Sequence, residues 1–235
     1  MYNIKLFYDL HIHSVLSPDA DDFMTPNNIL NMAMLKELDF VAITDHNSAK
    51  QLRVVQQIEE AYDFVFIPGI EVTVKEGFDV LCYFKHFKDA YDLDEIIESH
   101  LNGAWGPFKQ EDQMITDIYD ITIDTYEKPL LQTDLSYQEL YTEVKKRQGA
   151  IVLAHIDRNS KSVLNNYSLA DFPFDGIEIQ LYYKSDFLSQ NPELQKHKIF
   201  ANSDSHTLLT ISERIESIEL KEKTIDAFFQ YLLGE

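Results

Sequence analysis

The chain has 235 residues, of which 20 are basic and 40 are acidic, so its formal net charge is −20 and its isoelectric point is about 4.6. A surface this acidic repels a phosphate backbone, so we expect no binding to extended duplex nucleic acid. The hydrophobic content of 45% excludes a disordered chain, and the single cysteine excludes a disulfide framework and a cysteine-based zinc cage. The lack of a long apolar run or a signal peptide predicts a cytoplasmic protein without a membrane partner.

Short apolar runs alternate with helix-compatible segments along the chain. The runs predict seven strands, at Lys5–His13, Phe40–Thr44, Val65–Val72, Val80–Phe84, Ala150–His155, Gly176–Gln180 and Lys198–Asn202. Helices are predicted at Asn27–Leu38, Ala49–Tyr62, Leu93–Leu101, Tyr137–Arg147 and Thr224–Leu233. This alternation favours parallel strand pairing and an α/β fold, close in size to a (β/α) barrel.

Two segments depart from the alternation. Only the turn around Gly77 separates the third and fourth strands, which is too short for a parallel crossover, so we predict a hairpin that brings Asp79 near Glu71. Residues 102–133 contain the acidic, β-branched run Ile115–Tyr126, and they predict an insertion over the active-site face with a small hairpin at Ile118–Ile123. Since no linker or internal repeat divides the chain, we predict one domain spanning residues 1–235.

Histidines and acidic residues follow most of the predicted strands at the point where each strand ends. In chain order these endings are Asp9-Leu10-His11-Ile12-His13, Thr44-Asp45-His46, Gly69-Ile70-Glu71, Ala154-His155 and Asp204-Ser205-His206. Because the carboxyl ends of parallel barrel strands meet at one rim, we expect these side chains to converge. Imidazoles and carboxylates together are ligands typical of zinc, manganese or iron, so the pattern predicts a multinuclear metal site.

The spacing within two of these endings supports the same interpretation. His11 and His13 stand two residues apart in an extended segment, so they should present two imidazoles to one side while Ile12 faces the other. Asp204 and His206 repeat this spacing.

The remaining histidines and the cysteine favour structural roles. His86, His100 and His197 stand in charged helical or loop contexts, which is typical of solvated surface residues. Cys82 lies inside an apolar strand and is interpreted as a buried thiol.

These motifs, from D-L-H-I-H-S near the start to N-S-D-S-H near the end, resemble those of the PHP (polymerase and histidinol phosphatase) family. Within it, the A-H-x-D-R segment and the following P-F-D-G-I-E-I strand are similar to small stand-alone metal-dependent phosphoesterases. The resemblance implies a distorted seven-stranded (β/α)7 barrel with a lid-like insertion, and two or three divalent transition metal ions (Zn, Mn or Fe). It also implies hydrolysis of a small phosphate ester: a sugar or histidinol phosphate, a nucleotide or an oligonucleotide end.

The resemblance also implies a ligand set. Residues that match the family pattern directly are His11, His13, His46, Glu71, His155, Asp204 and His206. The acid expected seven residues after the first histidine is replaced by Pro18, so Asp19 is a ligand if the loop accommodates a shift of one residue. Asp79 stands where a histidine is common, which puts the metal preference of that position in question.

The hydrolysis that the resemblance implies would proceed through metal-bound hydroxide, and other polar residues would have roles in it. Arg158, three residues after His155, is the best candidate to bind a phosphate oxygen, and Lys161 is a weaker one. Asp45 would either orient an imidazole or shuttle a proton.

Two alternatives stay open at this point. A PHP module that has lost catalysis would act as a structural or regulatory partner. An amidohydrolase-like enzyme would keep the metals and cleave a different bond. The oligomeric state is not predicted.

Overall fold

The computed structural model describes residues 2–234, which fold into alternating strands and helices. The strands are β1 (Ile4–Asp9), β2 (Phe40–Val41), β3 (Val65–Phe66), β4 (Gly69–Thr73), β5 (Asp79–Tyr83), β6 (Met114–Thr116), β7 (Thr122–Thr125), β8 (Ala150–Leu153), β9 (Gly176–Glu178), β10 (Ile199–Phe200) and β11 (Ser217–Leu220). The α-helices are α1 (Pro26–Leu35), α2 (Leu52–Ile58), α3 (Phe87–His100), α4 (Tyr137–Lys146), α5 (Lys184–Gln190) and α6 (Ile225–Leu233).

The strands form two main sheets and one separate hairpin. The first sheet has the order β11-β1-β2-β3, the second has the order β10-β9-β8-β5-β4, and β6 pairs only with β7. β1, β2 and β3 run parallel, as do β8, β9 and β10, whereas β5 is antiparallel to both β4 and β8. The mixed α/β fold and the hairpin between the third and fourth predicted strands are therefore confirmed.

Two single parallel bridges connect the two sheets. Ile12 pairs with Ser205, and His46 pairs with Glu71. The His13 amide donates to the Ser205 carbonyl at 2.9 Å, and the Asn47 amide donates to the Glu71 carbonyl at 2.7 Å. Across residues 2–234 the ladders nevertheless form two sheets, so the single seven-stranded ring stays a prediction.

Alternate strand residues face two different apolar clusters, since successive side chains of a strand point to opposite faces. Phe40 and Tyr83 face an inner cluster that receives strands of both sheets and Phe228 of α6. Their neighbours Val41 and Cys82 face an outer cluster against helices α1 to α4. The strands therefore lie between an outer layer of helices and an inner core that contains the aromatic face of α6.

The observed elements differ from the predicted ones mainly at their ends. The third predicted strand is divided at Pro68, which has no N–H to donate to a ladder. Helix α3 begins at Phe87, six residues before its predicted start, and has no side-chain cap. The short strand β11 and the helix α5 were not predicted. None of the helices within residues 2–234 is long and apolar enough to cross a lipid bilayer.

The segment 102–133 contains the hairpin β6–β7, whose turn and second strand include most of the predicted Ile118–Ile123. It packs on the loop that follows the first pair of histidines. Tyr126 and Leu130 contact Leu16, and the Met114 amide donates to the Val15 carbonyl at 2.9 Å.

Candidate metal centre

The two histidines that follow β1 lie side by side in the interior. The Nε2 atoms of His11 and His13 are 3.0 Å apart, and both side chains are fully buried. Ile12 between them points into the outer apolar cluster, as the spacing predicts. Two unprotonated imidazole nitrogens this close together can both face one cation.

Further candidate ligands converge on this pair. The structure brings together three groups whose ligand atoms lie within 4.8 Å of one another: His13, His46 and His206; His11, His13 and Asp204; and Glu71, Asp79 and His155. These residues come from the ends of the predicted strands, as expected for side chains that meet at one rim. His86, His100 and His197 belong to none of the groups.

Glu71 lies between the groups and contacts several of their members. Its Oε1 atom is 3.1 Å from His155 Nε2 and 3.3 Å from His11 Nε2, and its Oε2 atom is 2.8 Å from His46 Nδ1. Glu71 would therefore hold a metal together with histidines of more than one group.

Asp19 reaches the cluster despite its shift along the chain. Its Oδ2 atom lies 3.4 Å from His46 Nε2 and 3.3 Å from His206 Nε2. The loop thus accommodates the extra residue, although Asp19 is outside the three tight groups.

Asp79 is brought beside Glu71 by the hairpin, as predicted. It accepts a hydrogen bond of 2.5 Å from Thr73 Oγ1, and its Oδ2 atom is 3.7 Å from His155 Nε2 and 3.6 Å from Lys161 Nζ. Burial and the neighbouring Glu71 raise its pKa, whereas the nearby Lys161 and His155 lower it.

The imidazoles occupy contrasting electrostatic environments. Burial and the neighbouring His206 and His46 lower the pKa of His13 to about 3, so it is a neutral electron-pair donor. Burial alone would lower the pKa of His46, but the Glu71 and Asp19 carboxylates raise it to about 10. In this arrangement imidazole protons balance the carboxylates, a task that a divalent cation performs in metal sites.

Several buried polar atoms in the cluster lack a hydrogen-bond partner among the described residues. They are His46 Nδ1, Glu71 Oε2, His155 Nδ1, Asp204 Oδ2 and His206 Nε2. His46 Nδ1 and Glu71 Oε2 are close to each other, and Asp204 Oδ2 and His206 Nε2 are close to Arg158 Nη1 and Asp19 Oδ2, but none of these pairs is in hydrogen-bonding geometry. Because unpartnered buried polar groups are costly, atoms of metal-ligating type in this state fit a bound cation.

Glu178, at the end of β9, is a functional candidate that sequence reasoning missed. Its carboxylate accepts from His11 Nδ1 at 3.0 Å, from Asn202 Nδ2 at 2.7 Å and from the His155 amide at 2.9 Å. It thereby directs the His11 Nε2 atom into the cluster. The available signal was an acidic residue at a strand end, the same signal that selected Glu71.

Asp45 contacts the cluster only indirectly. Its carboxylate accepts from the Ser14 amide at 2.7 Å, from Ser14 Oγ at 2.6 Å and from Ser17 Oγ at 2.8 Å. Ser17 Oγ lies 2.9 Å from His13 Nδ1. Ser17, another residue that was not predicted, therefore links Asp45 to an imidazole of the cluster.

The cluster is open to solvent on one side. The side chains of His11, His13 and Glu71 are at most 1% exposed, whereas Arg158 and Lys161 are each 37% exposed. Arg158 Nη1 is 2.9 Å from Asp204 Oδ2, so the structure places both predicted substrate-binding cations against candidate ligands. A groove of about 500 Å³ extends from Arg158.

Comparison with known proteins gives the fold. No family model matches the chain. The uncharacterized protein MJ1587 of Methanocaldococcus jannaschii is 25% identical over 198 residues, which cover 80% of this chain and 89% of that protein. The lesion-specific endonuclease Q of Pyrococcus furiosus superposes with a TM-score of 0.72 and 19% identity, over 98% of this chain and 56% of the endonuclease. The chain therefore spans little more than half of that relative's length.

Two further structures have the same architecture. A two-domain protein from Bacteroides vulgatus, containing a predicted PHP-like metal-dependent phosphoesterase, superposes with a TM-score of 0.61 and 15% identity, over 99% of this chain and 63% of that one. An amidohydrolase from Chromobacterium violaceum gives a TM-score of 0.64 and 15% identity, over 96% of both chains. The fold is thus the PHP type, and its structural neighbours are hydrolases.

The prediction about duplex nucleic acid is wrong. Endonuclease Q, which shares this fold with a TM-score of 0.73 at 19% identity over 98% of this chain and 57% of that one, has been solved with a 27-mer duplex whose abasic lesion lies at the active site. The net charge of −20 averages over the whole surface, whereas a duplex contacts only one face, and the charges on that face determine the local potential. Net charge alone therefore does not exclude a duplex.

Proposed function

We propose that the chain is a member of the PHP family and a metal-dependent phosphoesterase. The observation that carries the proposal is the convergence of three groups of histidines and carboxylates, most of them buried, at the ends of the strands of a PHP-type fold. Bound divalent ions would supply positive charge for the phosphoryl oxygens and lower the pKa of a bound water.

We propose nine residues as metal ligands: His11, His13, Asp19, His46, Glu71, Asp79, His155, Asp204 and His206. Charge supports two or three divalent ions of zinc, manganese or iron. The four carboxylates carry four negative charges. Glu71, Asp79 and the neighbouring Glu178 are fully buried and Asp204 is 10% exposed, so unbalanced charge is costly there, whereas Asp19 lies at the open side.

We also propose that the strands close into the seven-membered ring of the family. β3 and β4 would act as one interrupted strand, giving the order β1, β2, β3–β4, β5, β8, β9 and β10. The bridges Ile12–Ser205 and His46–Glu71 support this closure, since they join the two sheets on both sides.

Arg158 and Lys161 would bind the phosphate group of the substrate. Both are half-exposed at the open side of the cluster, and Arg158 offers the fork geometry that suits a phosphate. Asp45 would act as a positioning residue through Ser17 instead of as a proton shuttle, because both of its oxygens already accept hydrogen bonds from Ser14 and Ser17. The segment 102–133 would form a lid, which its contact with the loop after His13 supports.

The test is metal analysis and turnover on a generic aryl phosphate, with manganese, zinc or iron supplied. We expect more than one transition metal per chain, and we expect His13→Ala to abolish turnover while the chain stays folded. His86→Ala, a change at an exposed histidine, is the matched control. Turnover of His13→Ala at the wild-type rate would refute the proposed site.

An amidohydrolase is the second candidate, favoured by the superposition on the Chromobacterium enzyme. The same metal cluster would activate water toward an amide carbonyl. Parallel measurement on phosphoester and amide substrates separates the two, because only the proposed phosphoesterase releases phosphate. A protein that binds metals and hydrolyses neither class would instead be a non-catalytic PHP module.

A further inference from the structure

A polar groove lies directly beside the candidate metal centre, and apart from Arg158 its residues have no role in the proposed hydrolysis. Its volume is about 500 Å³, which is within the range of small-molecule sites. Its walls come from the loop after β8, the segment after β9 and helix α5, and they include Arg158, Asn159, Gln180, Tyr183 and Gln190.

Arg158 connects the groove to the cluster. Its guanidinium lines the groove and lies 2.9 Å from Asp204, while its amide donates to the carbonyl of His155 at 2.9 Å. The opposite wall is held to the same loop, since the Gln180 amide donates to Asp157 at 3.0 Å. A phosphoester whose phosphate lies at Arg158 and the cluster would therefore extend its organic part into the groove.

The chemistry of the walls favours a flat ring with polar edges. Asn159, Gln180 and Gln190 each offer an amide donor and an amide acceptor, the combination that pairs with base edges. Tyr183 is 61% exposed and presents an aromatic face on which a ring can stack. A sugar phosphate alone would leave this face without a partner.

Two carboxylates in the groove favour one kind of ring over another. Asp157 and Asp186 line the groove, and an ionised carboxylate only accepts hydrogen bonds. An exocyclic amino group, such as that of cytosine, donates to a carboxylate, whereas the corresponding carbonyl of uracil repels it.

We propose that this groove is a nucleobase subsite, so that the substrate of the cluster is a nucleotide or a nucleotide unit of a strand, with preference for amino-bearing bases. This inference rests on the proposed phosphoesterase function and specifies its substrate class. Tyr183 stacks on the base, the amides and carboxylates pair with its edge, and Arg158 holds the phosphate.

The experiment compares kcat/KM of the metal-loaded protein on cytidine monophosphate, uridine monophosphate, histidinol phosphate and glycerol phosphate. We expect the cytidine compound to be the best of the four. Tyr183→Ala should lower kcat/KM on it by about 5- to 100-fold, the loss of one base stack, and should lower it less on glycerol phosphate, which has no ring to stack. Tyr2→Ala, at a tyrosine 98% exposed and remote from the groove, is the matched control.

A second set of substrates shows whether the nucleotide is free or part of a strand. A short single strand and a duplex, each ending in cytidine, are compared with the free mononucleotide, and whichever is preferred must show the same dependence on Tyr183. Equal kcat/KM for nucleotide and histidinol phosphate, unaffected by Tyr183→Ala, would overturn the subsite while the phosphoesterase stands.

Failure of the proposed function is recognised separately. If no phosphoester is hydrolysed with any metal, calorimetric titration with cytidine and uridine monophosphates still examines the groove. Tighter binding of the cytidine compound, weakened by Tyr183→Ala, supports the subsite, and equal or undetectable binding of both overturns it.

Discussion

Glu178 is the carboxylate on which the orientation of two candidate metal ligands depends. It accepts hydrogen bonds from the His11 ring, from the His155 amide and from the Asn202 side chain, and it is 1% exposed. The substitution Glu178→Gln keeps the shape of the side chain and replaces one acceptor oxygen with a donor. Three donors then face one oxygen and one NH₂ group, so at least one of them loses its partner.

The expected magnitude follows from this loss. A buried donor left without a partner costs about 1–3 kcal/mol, and the free energy of unfolding should fall by that amount. The His11 ring also loses the anion that holds Nδ1 protonated and Nε2 free, and loss of such a partner weakens metal binding by about 10- to 100-fold.

The assay is competition with a chromophoric chelator for zinc or manganese, together with urea unfolding of the metal-free protein. Glu219→Gln is the matched control, because Glu219 is exposed on β11. Metal affinity of Glu178→Gln within twofold of the wild type would refute the reasoning, since the hydrogen bonds to His11 and His155 would then have no influence on ligand orientation.

Three further outcomes are expected. Removal of metal with a chelator should lower the thermal unfolding midpoint, because Glu71 then loses its divalent counterion; an unchanged calorimetric midpoint would contradict this. Ser136→Ala should lower the free energy of unfolding by about 1 kcal/mol in urea titration without changing turnover, because Ser136 Oγ accepts from the Glu139 amide in the capping box of α4. Phe228→Ala should lower the free energy of unfolding by about 3–5 kcal/mol, because this ring is 0% exposed in the inner core. Phe23→Ala, at a ring 69% exposed, should change it by less than about 0.5 kcal/mol, and equal effects of the two substitutions would disprove the assignment of the core.

The candidate ligands could be predicted because their positions follow from local rules. A strand exposes its last residues at a common rim, so His46 and His155 could be selected from the apolar runs that precede them. The two-residue spacing of His11 and His13 sufficed to place them on one side. The hairpin that joins Asp79 to Glu71 followed from the shortness of the turn alone.

Features that depend on distant partners could not be predicted in this way. Glu178 is separated from His11 by 167 residues, and only the folded chain brings the two together. Strand β11 is four residues long, and it forms because Ile218 packs into the inner core beside β1. The groove beside Arg158 needs helix α5, whose apolar pattern is too short to be recognised.

The two bridges between the sheets, Ile12–Ser205 and His46–Glu71, lie among the candidate ligands. At each bridge one sheet pairs with the other, and each pairing consists of only a few hydrogen bonds. Cations held by His11, Glu71 and Asp204 would therefore stabilise both of these contacts between the sheets. A cation would then leave only when one of these contacts between the sheets opens. The rate of this local opening would limit the rate at which the metal centre exchanges its metal.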